Sequence, residues 1–244
     1  MFKVSRAGLV IALTLLICQP AIAQDVSISM GENGSLATRS IQLFVLVTLL
    51  SIVPGLAIMI TSFPFMVTVL SILRQGIGLQ QSPPNMLIVS LALFLTYFVM
   101  EPVFVIAWAS GIDPFVNGNI PLEEAFSRTL DPFRTFMSAR IAEDTFEELA
   151  SLRPAIDATL PIESSPLSIL IPSFLLSEIE RAFQIGFMIF LPFLIIDLVV
   201  AAILMSMGMM MVPPAIVSLP FKLGFFVVAD GWSLIASSLV RSYF

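Results

Sequence analysis

Four apolar stretches, each long enough to cross a bilayer and each interrupted by proline, limit the folds open to this chain. They run Ile41–Thr61, Met86–Ser110, Phe183–Met211 and Ala215–Val240. A hydrocarbon core of about 30 Å takes about 20 helical residues. Inside the stretches stand Pro54, Pro102, Pro192 and Pro220. Proline removes a backbone donor that lipid cannot replace, so neighbouring helices must satisfy the freed carbonyls. The pattern predicts an all-α, multi-span integral membrane protein whose helices pack tightly on one another. Composition agrees: 11% of the residues are charged, against about 25% in a soluble domain. The run Ala182–Met211 would be about 45 Å long as helix, more than the bilayer core, so it must tilt, kink or project from the membrane.

Residues 1–23 read as a cleavable signal peptide. Lys3 and Arg6 form a basic start, Ala7–Ile17 an apolar centre, and Ala21-Ile22-Ala23 a small-residue cleavage site. Cys18 raises lipoprotein processing, but Ile17 before it is not small, which favours ordinary cleavage. An uncleaved first helix is the alternative. The chain has one cysteine and no histidine. Cleavage after Ala23 therefore leaves neither a thiolate, nor an imidazole base, nor a Cys/His metal site. The sequence also holds no nucleotide-binding loop. No enzyme activity, cofactor, metal or nucleic-acid partner is expected.

Behind the signal peptide the reading is a periplasmic N-terminal segment (24–40), a first helical pair (41–110), an acidic helical periplasmic domain (111–166) and a second helical hairpin with a methionine-rich turn (167–244). The acidic domain holds ten carboxylates against four arginines, Arg128, Arg134, Arg140 and Arg153. Leu122, Phe126, Leu130, Phe133, Met137 and Ile141 recur at helical spacing. Asp131-Pro132 reads as a helix cap with proline at the first helical position. The acids read as a solvated face. Ser62–Asn85, ending in Pro83-Pro84-Asn85, reads as a cytoplasmic connection. The positive-inside rule supports this topology poorly, because Arg39, Arg181 and Arg241 flank spans on the outer side. Either the topology differs, or not every helix lies in an ordinary bilayer.

Three lone charges interrupt the last two stretches: Asp197, Lys222 and Asp230. An ionised side chain in hydrocarbon costs several kcal/mol, so each needs a partner. Counted from a hairpin centre near Val212-Pro213, Asp197 and Lys222 differ in depth by about six residues, or roughly 9 Å. Asp230 falls closer to Asp197. The count predicts partners on other chains; a tilted hairpin in which Lys222 reaches Asp197 is the alternative. Glu178 and Arg181 share a helix face three residues apart, and Ser177 with Glu180 fits a capping box at a helix start. Five methionines, Met205, Met207, Met209, Met210 and Met211, crowd the turn. Their flexible side chains suit either core filling or a seal.

The block from Ala182 to Pro214 and the SLPFKLGFFVVADGW segment (Ser218–Trp232) resemble the FliP family of the flagellar type III export gate. ITSF (Ile60–Phe63), ILRQGIG (Ile72–Gly78), SPPN (Ser82–Asn85) and LALFLTYFVMEP (Leu91–Pro102) carry the same resemblance. It implies a pore-forming core subunit that passes unfolded flagellar proteins across the inner membrane. Its implied setting is a homo-oligomer with FliQ and FliR, next to FlhB and FlhA, in a partly extramembrane cone of helices. It implies a pore gasket at Met209, Met210 and Met211. Two positions depart from the family's pattern. Pro64-Phe65 stands where Thr-Arg is usual, and Glu101 where a neutral residue is usual. The related injectisome (SctR) branch is the near alternative; the signal peptide favours the flagellar one. A proton- or ion-coupled transporter using Asp197, Asp230 and Glu101 as a relay is the alternative from another class.

Overall fold

The computed structural model describes residues 36–79, 82–153, 161–209 and 211–244. The signal-peptide reading and Met210 lie outside these residues. Among them all regular structure is helical. The helices are α1 (Leu36–Met59), α2 (Phe63–Ile77), α3 (Asn85–Ala107), α4 (Asp113–Val116), α5 (Leu122–Ser138), α6 (Glu143–Ser151), α7 (Leu167–Ser206), α8 (Pro214–Val228) and α9 (Gly231–Arg241). A π turn, Trp108–Ile112, joins α3 to α4 without a break. The chain forms two compact units, Met1–Leu49 and Leu50–Phe244, and the core belongs to the second. Among the described residues three helices are long and apolar enough to cross a membrane: Ser40–Met59, Asn85–Val116 and Leu167–Ser206. A fourth span exists if α8 and α9, bent by 62° at their junction, count as one.

The centre of the second unit is α2, inside the segment that the sequence presented as a cytoplasmic connection. Phe65, Met66, Val69, Leu70, Leu73 and Ile77 repeat every three or four residues and are all at most 1% exposed. The segment reads as a link because 15 residues fall short of a bilayer span. Packed inside the protein it has no such length to meet. It lies against α7, and Gly186 of α7 admits Ile72: a Cβ there would fall 2.5 Å from the Ile72 Cδ1. Ile88, Ala92, Leu95 and Val99 of α3, Ala182 and Phe193 of α7, Phe226 of α8 and Leu239 of α9 complete this core. Phe65 itself, one of the two departures from the family pattern, packs edge-on against Tyr243 at 5.5 Å.

A second core joins the acidic segment to the start of α7. It comprises Met137, Ile141, Phe146, Ala150, Ile169, Leu170 and Phe174. Two boundaries differ from the sequence reading. Helix α5 runs straight through Pro132 instead of starting there. Pro132 cannot donate to the Arg128 carbonyl four residues back, and the Ser110 hydroxyl donates to that carbonyl at 3.1 Å instead. Helix α7 begins at Leu167, so Ser177 and Glu180 sit within it and form no capping box.

Candidate functional site

Helix α7 ends because Gly208 adopts φ +73°, a left-handed conformation open to glycine at no steric cost. Its N–H donates to the Met205 carbonyl at 3.0 Å, and the Met209 N–H donates to Leu204 at 3.0 Å. These two bonds form a Schellman cap. Pro213 and Pro214 then open α8, whose first turn needs no donor from proline. The described residues between Ser206 and Pro214 are not helical and add no helical rise. Depth along the hairpin therefore counts from Ser206 and Pro214, not from one central point. Asp197 precedes Ser206 by nearly the same number of residues as Lys222 follows Pro214.

The two charges accordingly meet, which corrects the expectation that they pair with other chains. Lys222 Nζ donates to Asp197 Oδ2 at 2.6 Å and to the Gly76 carbonyl of α2 at 3.2 Å. Ser218, one helical turn before Lys222, donates to Asp197 Oδ1 at 2.5 Å. Lys222 is 5% exposed and Ser218 is fully buried, whereas the Asp197 side chain keeps 32% exposure. The pair edges a cleft of about 490 Å³ that also holds Arg74, Gln75 and Ala215. Chemically it is a neutralised brace across three helices. Lys222→Gln leaves Asp197 without its cation. We expect a loss of about 1–3 kcal/mol, at the low side of a broken buried pair because Asp197 reaches solvent. A double-mutant cycle with Asp197→Asn, read as thermal midpoints in detergent, checks it; a coupling near zero refutes the brace.

Asp230 does not join this pair. It stands exposed at the α8–α9 bend with φ 48°, a conformation that Asp tolerates better than most residues. Among the described residues it forms no ion pair. The following Gly231 lies so near Phe226 that a Cβ would fall 2.2 Å from the ring, and this contact shapes the bend.

Glu178 and Arg181 are only loosely paired, 4.0 Å apart. The main partners of Glu178 are residues that sequence spacing did not single out. Glu178 is fully buried on α7. Arg140, just after α5, donates from Nε to Glu178 at 2.9 Å and from NH1 to the Ser242 carbonyl at 2.8 Å. Its guanidinium lies 4.0 Å from the centre of the Tyr243 ring. The Tyr243 hydroxyl donates to the other Glu178 oxygen. Burial first, then the Glu178 charge, push the Tyr243 phenol far above its ordinary range, so it stays protonated and donates. The cluster ties the acidic segment, α7 and the residues after α9 into one body. No local signal marks it, because Arg140 and Tyr243 stand 38 and 65 residues from Glu178.

The methionines sit at the tip of the braced hairpin. Met205, Met207, Met209 and Met211 are 62%, 66%, 44% and 97% exposed. Among the described residues no group of three or more His, Cys, Asp or Glu side chains is placed to hold a metal ion. The arrangement can hold charges, present an apolar turn and brace helices.

The chain is similar in sequence to known proteins. The FliP family model matches residues 46–239. A flagellar biosynthetic protein FliP from Caulobacter vibrioides is 46% identical over 243 residues, covering 98% of this chain and 91% of the relative. One from Rhizobium meliloti is 48% identical over 212 residues, covering 86% of each. One from Aquifex aeolicus is 43% identical over 237 residues, covering 95% of this chain and 98% of the relative.

Proposed function

Since the chain belongs to the FliP family, we propose that it is a pore-forming core subunit of the flagellar type III export gate. In this reading it assembles as a homo-oligomer with FliQ and FliR, beside FlhB and FlhA. The assembly sits in the inner membrane with part raised toward the periplasm, and unfolded flagellar proteins pass through it. Family membership agrees with a component that is not an enzyme.

One observation carries the pore reading: an exposed methionine turn at the end of a hairpin whose two helices are held by an internal ion pair. Met211 is 97% exposed and Met209 44%. Exposed apolar side chains gain by meeting other apolar surface. Around a ring of copies such turns converge and close the opening. Unbranched methionines then yield to a passing chain and reseal behind it. Met210 joins Met209 and Met211 on sequence position. Replacing all three by alanine shortens the seal and leaves the brace untouched. The expected result is leakage of small solutes through a complex recovered at its normal yield. A triple variant that stays impermeable removes the gasket assignment.

The relay reading finds no support in the charge geometry. Asp197 is bound by Lys222 and Ser218, and Asp230 lies at the helix bend instead of beside it.

A further inference from the structure

Glu101 stands midway along the 32-residue apolar helix Asn85–Val116. It is exposed, and among the described residues it forms no ion pair or hydrogen bond. Either helix end lies about 24 Å away at 1.5 Å per residue, so its short side chain cannot reach the membrane surface. Its surroundings are apolar. Phe94, Phe98 and Val105 are 65%, 52% and 61% exposed, and they lie on its face of the helix at spacings of three, four and seven residues.

The next residue adds a second acceptor. Pro102 has no N–H, so the Phe98 carbonyl lacks its usual donor four residues on. At Pro132 the chain answers the same loss with the Ser110 hydroxyl. At Phe98 no side-chain donor does so among the described residues. Arg128, which lines a cleft beside Pro102, is already paired with Glu124 at 2.5 Å. One exposed helical turn therefore carries a carboxylate and an under-served carbonyl, set in apolar surface at mid-helix.

We propose that this face of α3 is an interaction surface for an apolar helix carrying a single lysine or arginine, contributed by a different membrane subunit. A cation with several N–H groups answers both acceptors, and apolar flanks on the partner cover Phe94, Phe98 and Val105. A second copy of this chain offers a poorer match. Lys222 is buried on Asp197 and Arg181 lies beside Glu178. The exposed Arg241 stands at the C-terminal end of α9 instead of amid apolar turns, in a cleft beside Phe94 and Phe98 of its own chain. The inference deepens the export-gate reading and rests on it, because it requires co-assembly with other membrane subunits.

The test places a photo-crosslinking amino acid at Phe98 or Val105 of the full chain, expressed in its own cells with all partners. The expected result is an adduct with another membrane subunit, whose crosslinked segment contains a lysine or arginine within one helical turn. Glu101→Lys should cut the adduct yield at least tenfold, and the reverse change at the mapped basic residue should restore it. Glu101→Gln, which keeps the side-chain shape, should cut it severalfold. An adduct to a segment without a basic residue, or to a second copy of this chain, overturns the proposal. So does a wild-type adduct yield in both Glu101 variants. No adduct at either position, with the chain still co-purifying with other subunits, removes this surface alone. No co-purification with any membrane subunit removes the gate reading as well.

Discussion

Arg140→Ala is expected to destabilise the protein by about 3–5 kcal/mol, the cost of leaving one member of a buried ion pair without its partner. Glu178 is fully buried, so water cannot take the place of the guanidinium. The Tyr243 hydroxyl remains as a donor, but a neutral donor does not balance a carboxylate charge. Arg181, 4.0 Å away and 38% exposed on its side chain, is too distant and too solvated to substitute. The same change also removes the bond to the Ser242 carbonyl at 2.8 Å. Since domains are typically stable by about 5–15 kcal/mol, much of the fold's margin would go. Thermal unfolding in detergent should show the midpoint falling sharply, with the acidic segment becoming open to protease first. Replacing both Arg140 and Glu178 by methionine should recover most of the loss, because no uncompensated charge is then buried. If Arg140→Ala melts with the wild type, the cluster is not what binds the acidic segment to α7.

Gly111→Val is the second change with a large expected effect. A Cβ at Gly111 would fall 2.1 Å from the Thr129 Oγ1, 2.7 Å from the Thr129 nitrogen and 2.8 Å from the Ala125 carbonyl oxygen. Two of these atoms are backbone, so no rotamer change relieves the contact. The hydroxyl is itself held by the Ala125 carbonyl at 2.7 Å. Helix α5 must therefore move away from the π turn, and the Ser110 bond that satisfies the Arg128 carbonyl goes with it. Overpacking of this kind costs about 3 kcal/mol, before the lost hydrogen bond is added. Proteolysis within Leu122–Ser138 should rise at temperatures where the wild type resists. Unchanged protection would mean that the π turn can yield and that the close approach is incidental.

Some of the architecture was legible because its signals are local. The methionine turn could be placed from Pro213 and Pro214, whose backbone preferences operate wherever the chain goes. The apolar lengths announced the long helices α3 and α7. Helix α2 shows how a local signal can be present and still misread. Its apolar period is plain at Phe65, Val69, Leu73 and Ile77, but span length is the wrong measure for a helix buried in protein. Pro132 shows the opposite case. Its helix-start signal is overridden by a hydroxyl on Ser110, which no local pattern connects to it.

The sequence alone determined that this is a helical, membrane-spanning chain of the FliP type, because apolar length, proline spacing and family motifs are properties of consecutive residues. It also marked Asp197, Lys222 and Asp230 as charges in need of partners, since that need follows from the cost of taking a charge out of water. Which partner each one finds was decided only by the tertiary structure. Lys222 reaches Asp197 because the turn adds no helical rise. Glu178 receives Arg140 and Tyr243 because helices far apart in the chain pack side by side. Glu101 and Asp230 are left facing outward, and among the described residues neither forms an ion pair.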